Sequence, residues 1–218
     1  MGINIIDVLE QYTKKYPEFE LLGVVPIDFK EQCINDLCKI EDKVLKNNKT
    51  KFGMVFNLDP HDQPGSHWVS MFSDFNKGEI CFFDSYGTYD ERHEKINKFL
   101  EELKIIGEKH KNKKFTIKTH KNQHQSGNSE CGMFSIYYIL KLLEGDSFEN
   151  LSNSNLSDND VFKYRNILFR NKTKRDTNIL DMIDEIDISG GNFENNKLVQ
   201  KPEPELELES EISKTNNY

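Results

Sequence analysis

Apolar residues recur with two different periods along the chain, and these periods predict an alternation of helices and strands. Helical spacing over residues 3–15 predicts a first helix, which Pro17 ends because proline lacks the amide hydrogen that another turn requires. Asp28 is suited to cap a second helix that extends to Val44 and carries apolar residues at helical spacing. We therefore expect two helices to lead the fold.

Three short segments rich in aromatic and aliphatic residues follow, each bounded by turn residues, and such segments predict β-strands. They are KFGMVFNL, HWVSMFSDF and EICFFDS. The rest of the pattern comprises a helical stripe from Arg92 to Glu108, a strand at KFTIKT, a strong helix at CGMFSIYYILKLLEG and a last helix from Ser157 or Asp158. The pattern predicts an α+β fold with a central, mostly antiparallel sheet flanked by helices on both sides.

The composition changes sharply near Thr173, where aromatic residues become rare and a Pro-Glu-Pro-Glu run follows. Residues 1–173 are therefore expected to form one domain. Residues 174–218 are expected to be an acidic, largely disordered tail, because they offer too few apolar groups to offset the entropy lost on ordering.

The charge balance narrows the class of partner. The chain has 29 basic and 37 acidic side chains and a formal net charge of −8, whereas coating duplex DNA relies on neutralising phosphates with Lys and Arg. No stretch approaches the roughly 20 apolar residues of a membrane span, and the N-terminus lacks the pattern of a signal peptide. We expect a soluble protein that is not secreted.

The four cysteines show neither a CxxC pair nor a dense disulfide framework, which favours a reducing compartment and makes a structural zinc site a poor prediction. Cys33 and Cys38 lie five residues apart, on different faces of a predicted helix, and are interpreted as core residues.

Cys131 has the position of a reactive thiol. It follows a loop of small and polar residues and begins the strongest predicted helix, with Gly132 leaving it approachable. Free amide groups and the dipole at a helix N-terminus favour a thiolate, and with a cationic histidine nearby a cysteine pKa falls from about 8.5 to values of about 3.5–7.5. The alternative is a buried cysteine that packs as a small apolar residue.

His67 is the histidine best placed to serve such a thiol. The loop after its strand is centred between Asn76 and Lys77, so an even-numbered turn pairs Val69 with Asp84. His67 and Asp84 then share a face as diagonal neighbours about 7–8 Å apart at Cα, and the aspartate can hold the imidazole. An odd-numbered loop would point them apart, leaving a strand-edge histidine and a turn-forming aspartate.

Gln125 completes the set of candidate catalytic residues. Its side-chain amide, six residues before Cys131 across a tight loop, can turn back and donate to the oxyanion of a tetrahedral intermediate beside the Cys131 amide. Loss of such a donor costs about 10²–10³ in rate. A single glutamine in a polar loop is otherwise simply solvated, so the argument depends on the whole set.

The order of these residues resembles the family of cysteine proteases that contains the SUMO-specific proteases, the adenovirus proteinase and the core proteases of large DNA viruses. The matching motifs are His67-Trp68, Asp84-Ser85, and Gln125 with five residues before Cys131-Gly132. The resemblance extends over residues 51–143, and the phrases VPIDF and GMVFNLDP look most like the viral members. The combination is specific because four polar residues and two spacings coincide.

The resemblance implies a role for each residue. It implies His67 as base, Asp84 as the acid that orients it, Gln125 as oxyanion donor and Cys131 as nucleophile at the N-terminus of a central helix. In this family the tryptophan after the histidine covers a narrow channel that admits Gly-Gly-type substrate tails, a role that Trp68 would take. Glu130 departs from the aspartate usual in cellular members, which affects only the loop geometry.

We therefore expect a thiol endopeptidase that cleaves after small residues of the Gly-Gly type and requires no metal or organic cofactor. Its expected partners are viral structural precursors or ubiquitin-like conjugates, with nucleic acid at most as an activator and no membrane. The tail sequence Ser189-Gly190-Gly191-Asn192 is either a flexible linker or a site of self-cleavage after Gly191.

Three alternatives share parts of this sequence pattern. An acetyltransferase with a similar His-acid-Cys set would need acetyl-coenzyme A. A binding module could retain the scaffold without catalysis, although the intact His67, Asp84, Gln125 and Cys131 argue against it. An isopeptidase that removes modifiers would share the chemistry and differ in the surface that recognises its substrate.

Overall fold

The computed structural model describes residues 2–46, 48–88 and 93–168, with side chains of residues 2–4, 166 and 167 excepted. The predicted domain boundary at Thr173, the predicted tail over 174–218 and the Gly190-Gly191 pair lie outside the described residues.

The described residues form helices and strands in an alternating order. The helices are α1 Gly2–Lys15, a 3-10 helix Ile34–Lys39, α2 Ile40–Lys46, α3 His93–Lys111, α4 Cys131–Leu143, α5 Phe148–Ser152 and α6 Asp158–Leu168. The strands are β1 Phe19–Pro26, β2 Lys51–Asn57, β3 Trp68–Asp74, β4 Glu79–Phe83 and β5 Thr116–Thr119. None of the helices in the described ranges is both long and apolar enough to cross a membrane.

The five strands form one sheet in the order β1-β2-β3-β4-β5. The two central pairings, β2 with β3 and β3 with β4, are antiparallel, and the two outer pairings are parallel. The predicted α+β class and the four predicted strands are confirmed. Antiparallel pairing has a smaller share than predicted, because β1 and β5 each reach the sheet by a crossover that contains a helix.

The edge strand β1 was not predicted. Its sequence FELLGVVP carries a glycine in the middle and ends in proline, both of which interrupt a strand pattern. In the structure the register against β2 shifts between Leu21 and Gly23, so Leu22 forms a bulge. Pro26 is tolerated because it is the last residue of an edge strand.

The prediction of one helix from Asp28 to Val44 is wrong. Asn35 and Asp36 have left-handed backbone angles (φ 53° and 59°), which interrupt the segment and divide it into turns, the 3-10 helix and α2. The interpretation of Cys33 and Cys38 as core residues is also wrong, because both are exposed and they form a disulfide with a Cα–Cα distance of 4.9 Å. This disulfide removes the argument from cysteine usage for a reducing compartment.

Helices cover both faces of the sheet. The 3-10 helix, α2 and α3 pack on one face, and an apolar cluster lies between them and the sheet. Helices α1 and α4 pack on the other face, where a Cβ on Gly53 would lie 2.8 Å from the Phe19 ring of β1 and 3.4 Å from Ile139 of α4. A helix buried on nearly all sides needs an almost wholly apolar sequence, which α4 has.

Candidate active site

The β3–β4 hairpin sets the first half of the site. Ser70 pairs with Phe83 and Asp74 pairs with Glu79, so the register is the even-numbered one predicted from sequence. His67, just before β3, and Asp84, just after β4, therefore meet at the same end of the hairpin. The backbone carbonyl of His67 still accepts the Leu58 amide at 2.9 Å, which ties this end of the hairpin to β2.

His67 and Asp84 form a buried hydrogen-bonded pair. The His67 Nε2 lies 2.7 Å from Asp84 Oδ1, and the two residues are 7% and 1% exposed. The Tyr86 amide donates to the same carboxylate oxygen at 3.0 Å. The other oxygen, Oδ2, lies 3.1 Å from Nε2 of His93, a buried residue at the start of α3. Both carboxylate oxygens are thus engaged.

The electrostatics of this pair favour charge separation. Burial alone lowers the pKa of His67, but hydrogen bonds and charge interactions with Asp84 and Cys131 outweigh it and raise that pKa to about 9. Burial would raise the pKa of Asp84, and hydrogen bonds from His67 and His93 instead hold it well below its usual value. At neutral pH the pair is therefore an imidazolium next to a carboxylate.

Cys131 is the first residue of α4, as predicted, and is 6% exposed. Glu130 is the N-cap residue, and its carbonyl accepts the Phe134 amide at 2.9 Å in the first hydrogen bond of the helix. Interaction with the Cys131 sulfur is one of the causes that raise the pKa of His67. Since His67 Nε2 is directed at Asp84, its Nδ1 is the ring nitrogen left for the thiol.

Gln125 is fully buried in the loop before α4. Its backbone amide donates to the Ser85 carbonyl at 2.8 Å, and its side-chain Oε1 accepts the Ser85 hydroxyl at 2.6 Å. Its side-chain Nε2 donates to the Gly127 carbonyl at 2.9 Å and is 3.4 Å from the Tyr86 hydroxyl. These contacts fix Gln125 next to the residue that follows Asp84.

Tyr86 and His93 belong to this arrangement and were not predicted from sequence. The Tyr86 ring packs on the His67 imidazole with centroids 4.7 Å apart, and its hydroxyl donates to the Gly127 carbonyl at 2.7 Å. Burial and the charge of Cys131 raise the pKa of Tyr86. The aromatic residue two positions after Asp84 was a usable signal for Tyr86, whereas nothing in the local sequence distinguishes His93 from the other histidines.

A cleft of about 900 Å³ opens beside the thiol and is lined by both Trp68 and Cys131. Trp68 is half-buried at the start of β3. The other walls are the end of β1, the loop between β2 and β3, the loop before α4 and the outer face of α6, with Val24, Val25, Pro26, Asp59, Pro60, His61, Pro64, Gly65, Asn128, Ser129, Phe162 and Arg165 among their residues. Its volume is that of a ligand-binding cleft.

Within the described ranges, no group of three or more His, Cys, Asp or Glu residues is arranged to hold a metal ion. The arrangement places a cysteine thiol next to a cationic imidazole, beside an open cleft.

Residues 30–178, more than half of the chain, match the profile described as Ulp1 protease family, C-terminal catalytic domain. The chain belongs to the Ulp1 protease family. A relative named as a thiol protease of Acanthamoeba polyphaga mimivirus is 32% identical over 174 residues, which are 79% of this chain and 57% of the relative. The Ulp1-family chain thus spans little more than half the length of that viral protein.

Solved structures of Ulp1-family proteases share the fold. The crystal structure of a cysteine protease of African swine fever virus superposes with a TM-score of 0.68 at 24% identity, over 78% of this chain and 67% of that one. The Ulp1 protease domain in complex with Smt3, the yeast ortholog of SUMO, gives a TM-score of 0.56 at 13% identity, over 77% and 73% of the two chains. The predicted resemblance to SUMO-specific and viral cysteine proteases is confirmed.

Proposed function

We propose that the chain is a thiol endopeptidase in which Cys131 is the nucleophile, His67 the base and Asp84 the residue that orients it. The observation that carries the proposal is the buried His67 imidazole, held by Asp84 at 2.7 Å on one side and interacting with Cys131 on the other. A cationic imidazole stabilises a thiolate, which is the reactive form of cysteine. The family to which the chain belongs is one of cysteine-type peptidases.

The reaction follows from these positions. The Cys131 thiolate attacks the carbonyl carbon of the scissile bond, and the carbonyl oxygen becomes an oxyanion. It accepts hydrogen bonds from the Cys131 amide and from the Gln125 Nε2 hydrogen that is not bonded to Gly127. The His67 imidazolium gives its proton to the leaving amine, which departs and leaves a thioester on Cys131. Water, deprotonated by His67, then hydrolyses the thioester and restores the thiolate.

We propose that the substrates are proteins cut after small residues of the Gly-Gly type, as the family resemblance implies. Trp68 lies beside the cleft that reaches Cys131, where it would cover the segment of substrate entering the site. Among the proteins similar to this chain, the Ulp1 domain is seen with a SUMO ortholog, and the mimivirus relative is named a thiol protease. Viral precursors and ubiquitin-like conjugates are therefore the two substrate classes to test, in the cytoplasm or the virion.

The decisive experiment compares the wild type with Cys131→Ala on Gly-Gly-X peptides, viral precursors and SUMO- or ubiquitin-derived substrates. We expect the substitution to reduce cleavage by at least about 10³-fold, as removal of a triad member does. Cys81→Ala is the matched control, because burial raises the pKa of the Cys81 thiol to about 12 and makes it unreactive.

Each of the other outcomes would contradict part of the proposal or indicate a different function. Equal cleavage by the wild type and Cys131→Ala would refute the assignment of the nucleophile. Acetyl transfer from acetyl-coenzyme A without peptide hydrolysis would identify the acetyltransferase, and binding of a modifier by both proteins without cleavage would identify the binding module.

A further inference from the structure

The last described helix, α6, holds the loop that lies between Gln125 and Cys131. The carboxylate oxygen Oδ2 of Asp158, at the start of α6, accepts the backbone amides of Ser126 and Gly127, each at 2.9 Å. Two amides from one loop bonded to a single oxygen fix the direction of that loop. The contact joins residues 31 and 32 positions apart in sequence, so it exists only when α6 is packed in place.

A second contact from α6 reaches the residue directly before the nucleophile. The Arg165 guanidinium donates to both carboxylate oxygens of Glu130 at 3.0 Å and also to the carbonyl of Ser129 at 3.0 Å. Glu130 is 6% exposed, and the Ser129 hydroxyl donates to it at 3.0 Å. Arg165 therefore binds the loop through one charge and one backbone group.

The position of this ion pair gives it an electrostatic consequence. The charged and titratable groups around Cys131 include His67 before β3, Asp84 and Tyr86 after β4, Glu130 in the loop, and Asp158 and Arg165 on α6. Asp59 and His61, from the loop between β2 and β3, line the same cleft as the thiol. A buried carboxylate one residue from the sulfur disfavours a thiolate unless a cation compensates it. Arg165 is the cation that does so, and its planar fork suits two carboxylate oxygens better than a lysine would.

We propose that Arg165 is a positioning residue of the site: from α6 it compensates the charge of Glu130 and holds the loop that ends at Cys131. The inference rests on the proposed function, because it assumes that Cys131 reacts as a thiolate. Asp158 supports it independently, since it docks the same helix on the other end of the same loop.

The test measures the thiol directly and needs no substrate. The rate at which iodoacetamide alkylates the Cys131-containing peptide, read by mass spectrometry, is recorded against pH for the wild type, Arg165→Met, and the double variant Glu130→Gln with Arg165→Met. Lys163→Met is the matched control, because it removes an exposed positive charge from the same helix whose ion pair is with Asp160 of that helix. Thermal unfolding of each variant shows whether it is folded.

We expect Arg165→Met to move the pH dependence of alkylation upward and to slow the reaction about tenfold near pH 6, because the Glu130 carboxylate loses its cation. We expect the double variant to return most of the way to the wild type, because neither charge is left unpaired, and Lys163→Met to match the wild type. A residue with a merely structural role would not be rescued by removing the opposing charge. The double variant has no buried unpaired carboxylate, so its alkylation can still be compared with that of the wild type if Arg165→Met unfolds.

Two results would overturn the inference: alkylation of Arg165→Met with the wild-type pH dependence, or a double variant as impaired as the single one. Failure of the proposed function looks different. In that case wild-type Cys131 itself would alkylate with the pH dependence of an ordinary cysteine, whatever stands at position 165.

Discussion

Asp84 binds two imidazoles, one on each carboxylate oxygen, from His67 at 2.7 Å and His93 at 3.1 Å. A carboxylate held on both sides cannot rotate away from either partner. The orientation of the His67 ring is fixed as a result, with Nδ1 available to Cys131. Asp84 also raises the pKa of His67, so it determines both where the imidazole points and whether it is charged.

Substituting Asp84→Asn tests both effects. We expect a loss in kcat of up to about 10⁴-fold, as in the equivalent substitution of a Ser-His-Asp triad. In the wild type, kcat/KM should fall as pH rises through about 9, where His67 loses its proton. An asparagine at position 84 no longer raises the pKa of His67, so the effect of burial, which lowers that pKa, becomes larger in proportion. The fall in kcat/KM at alkaline pH therefore moves to lower pH. The measurement is a pH profile of kcat/KM, and an unmoved limb would contradict the assignment of His67.

The sequence predicts the candidate residues that follow from local periodicity. The proximity of His67 and Asp84 could be predicted because the hairpin register follows from the centre of the loop. The position of Cys131 could be predicted because a polar loop precedes an apolar helix. Arg165 and His93 could not be predicted, since their partners lie on elements whose packing has no local signal. For the same reason, the sequence shows that Glu130 departs from the family pattern but does not show that Arg165 is its partner.

At the scale of elements, two loops carry three of the residues of the candidate site. The loop after β4 carries Asp84 and Tyr86, and the loop before α4 carries Gln125; they meet where the Ser85 carbonyl accepts the amides of His124 and Gln125 at 2.9 and 2.8 Å. Gly87 permits this approach. It has a φ of 64°, and a Cβ there would lie 2.5 Å from the backbone of Asn122.

Gly87→Ala should therefore separate the two loops. We expect a loss of about 1–3 kcal/mol in the free energy of unfolding, because an alanine is strained at this φ and meets backbone that cannot yield. Activity per folded molecule should fall as well, since Gln125 moves relative to Asp84. Denaturant unfolding and kcat/KM check the two parts, with Gly145→Ala as the control: its φ is also positive, at 103°, but no atom lies within 4 Å of the added Cβ. Equal losses in the two variants would show that close approach is unimportant.

Elements with an uninterrupted period were predictable and those with a local exception were not. Strands β2 to β5 and helices α3, α4 and α6 follow their patterns, so their existence could be predicted. The segment from Asp28 to Val44 has a helical period of apolar residues, but left-handed angles at Cys33, Asn35 and Asp36 override it. Asparagine and aspartate adopt left-handed backbone angles at a small cost in free energy, and the spacing of apolar residues does not indicate where such angles occur.

At the scale of the whole molecule, buried histidines make stability depend on pH in two opposite ways. Burial lowers the pKa of His120 to about 4, with the nearby His124 adding to the effect. Between about pH 6.5 and 4 the unfolded chain therefore binds a proton that the folded chain does not, and stability falls as pH falls. The pKa of His67 is raised to about 9, so its contribution is present below pH 6.5 and is lost as pH rises to 9.

Replacing His120→Leu should remove the acid side of this dependence. His120 is 2% exposed, and neither of its ring nitrogens has a hydrogen-bond partner, so leucine of similar size should cost little at pH 7. Between pH 6.5 and 4 we expect the wild type to lose on the order of 2 to 3 kcal/mol more than the variant. Urea unfolding at a series of pH values measures the difference, and parallel curves would contradict the prediction.

The contact between Arg165 and Glu130 also has a consequence for biosynthesis. Arg165 is made 35 residues after Glu130, which at 5–20 residues per second corresponds to about 2–7 s of translation. Over that interval the nascent chain already carries its histidine, aspartate and cysteine but lacks the guanidinium that balances the neighbouring carboxylate. The arrangement around the thiol is therefore completed only after α6 has been synthesised and packed against the loop before Cys131.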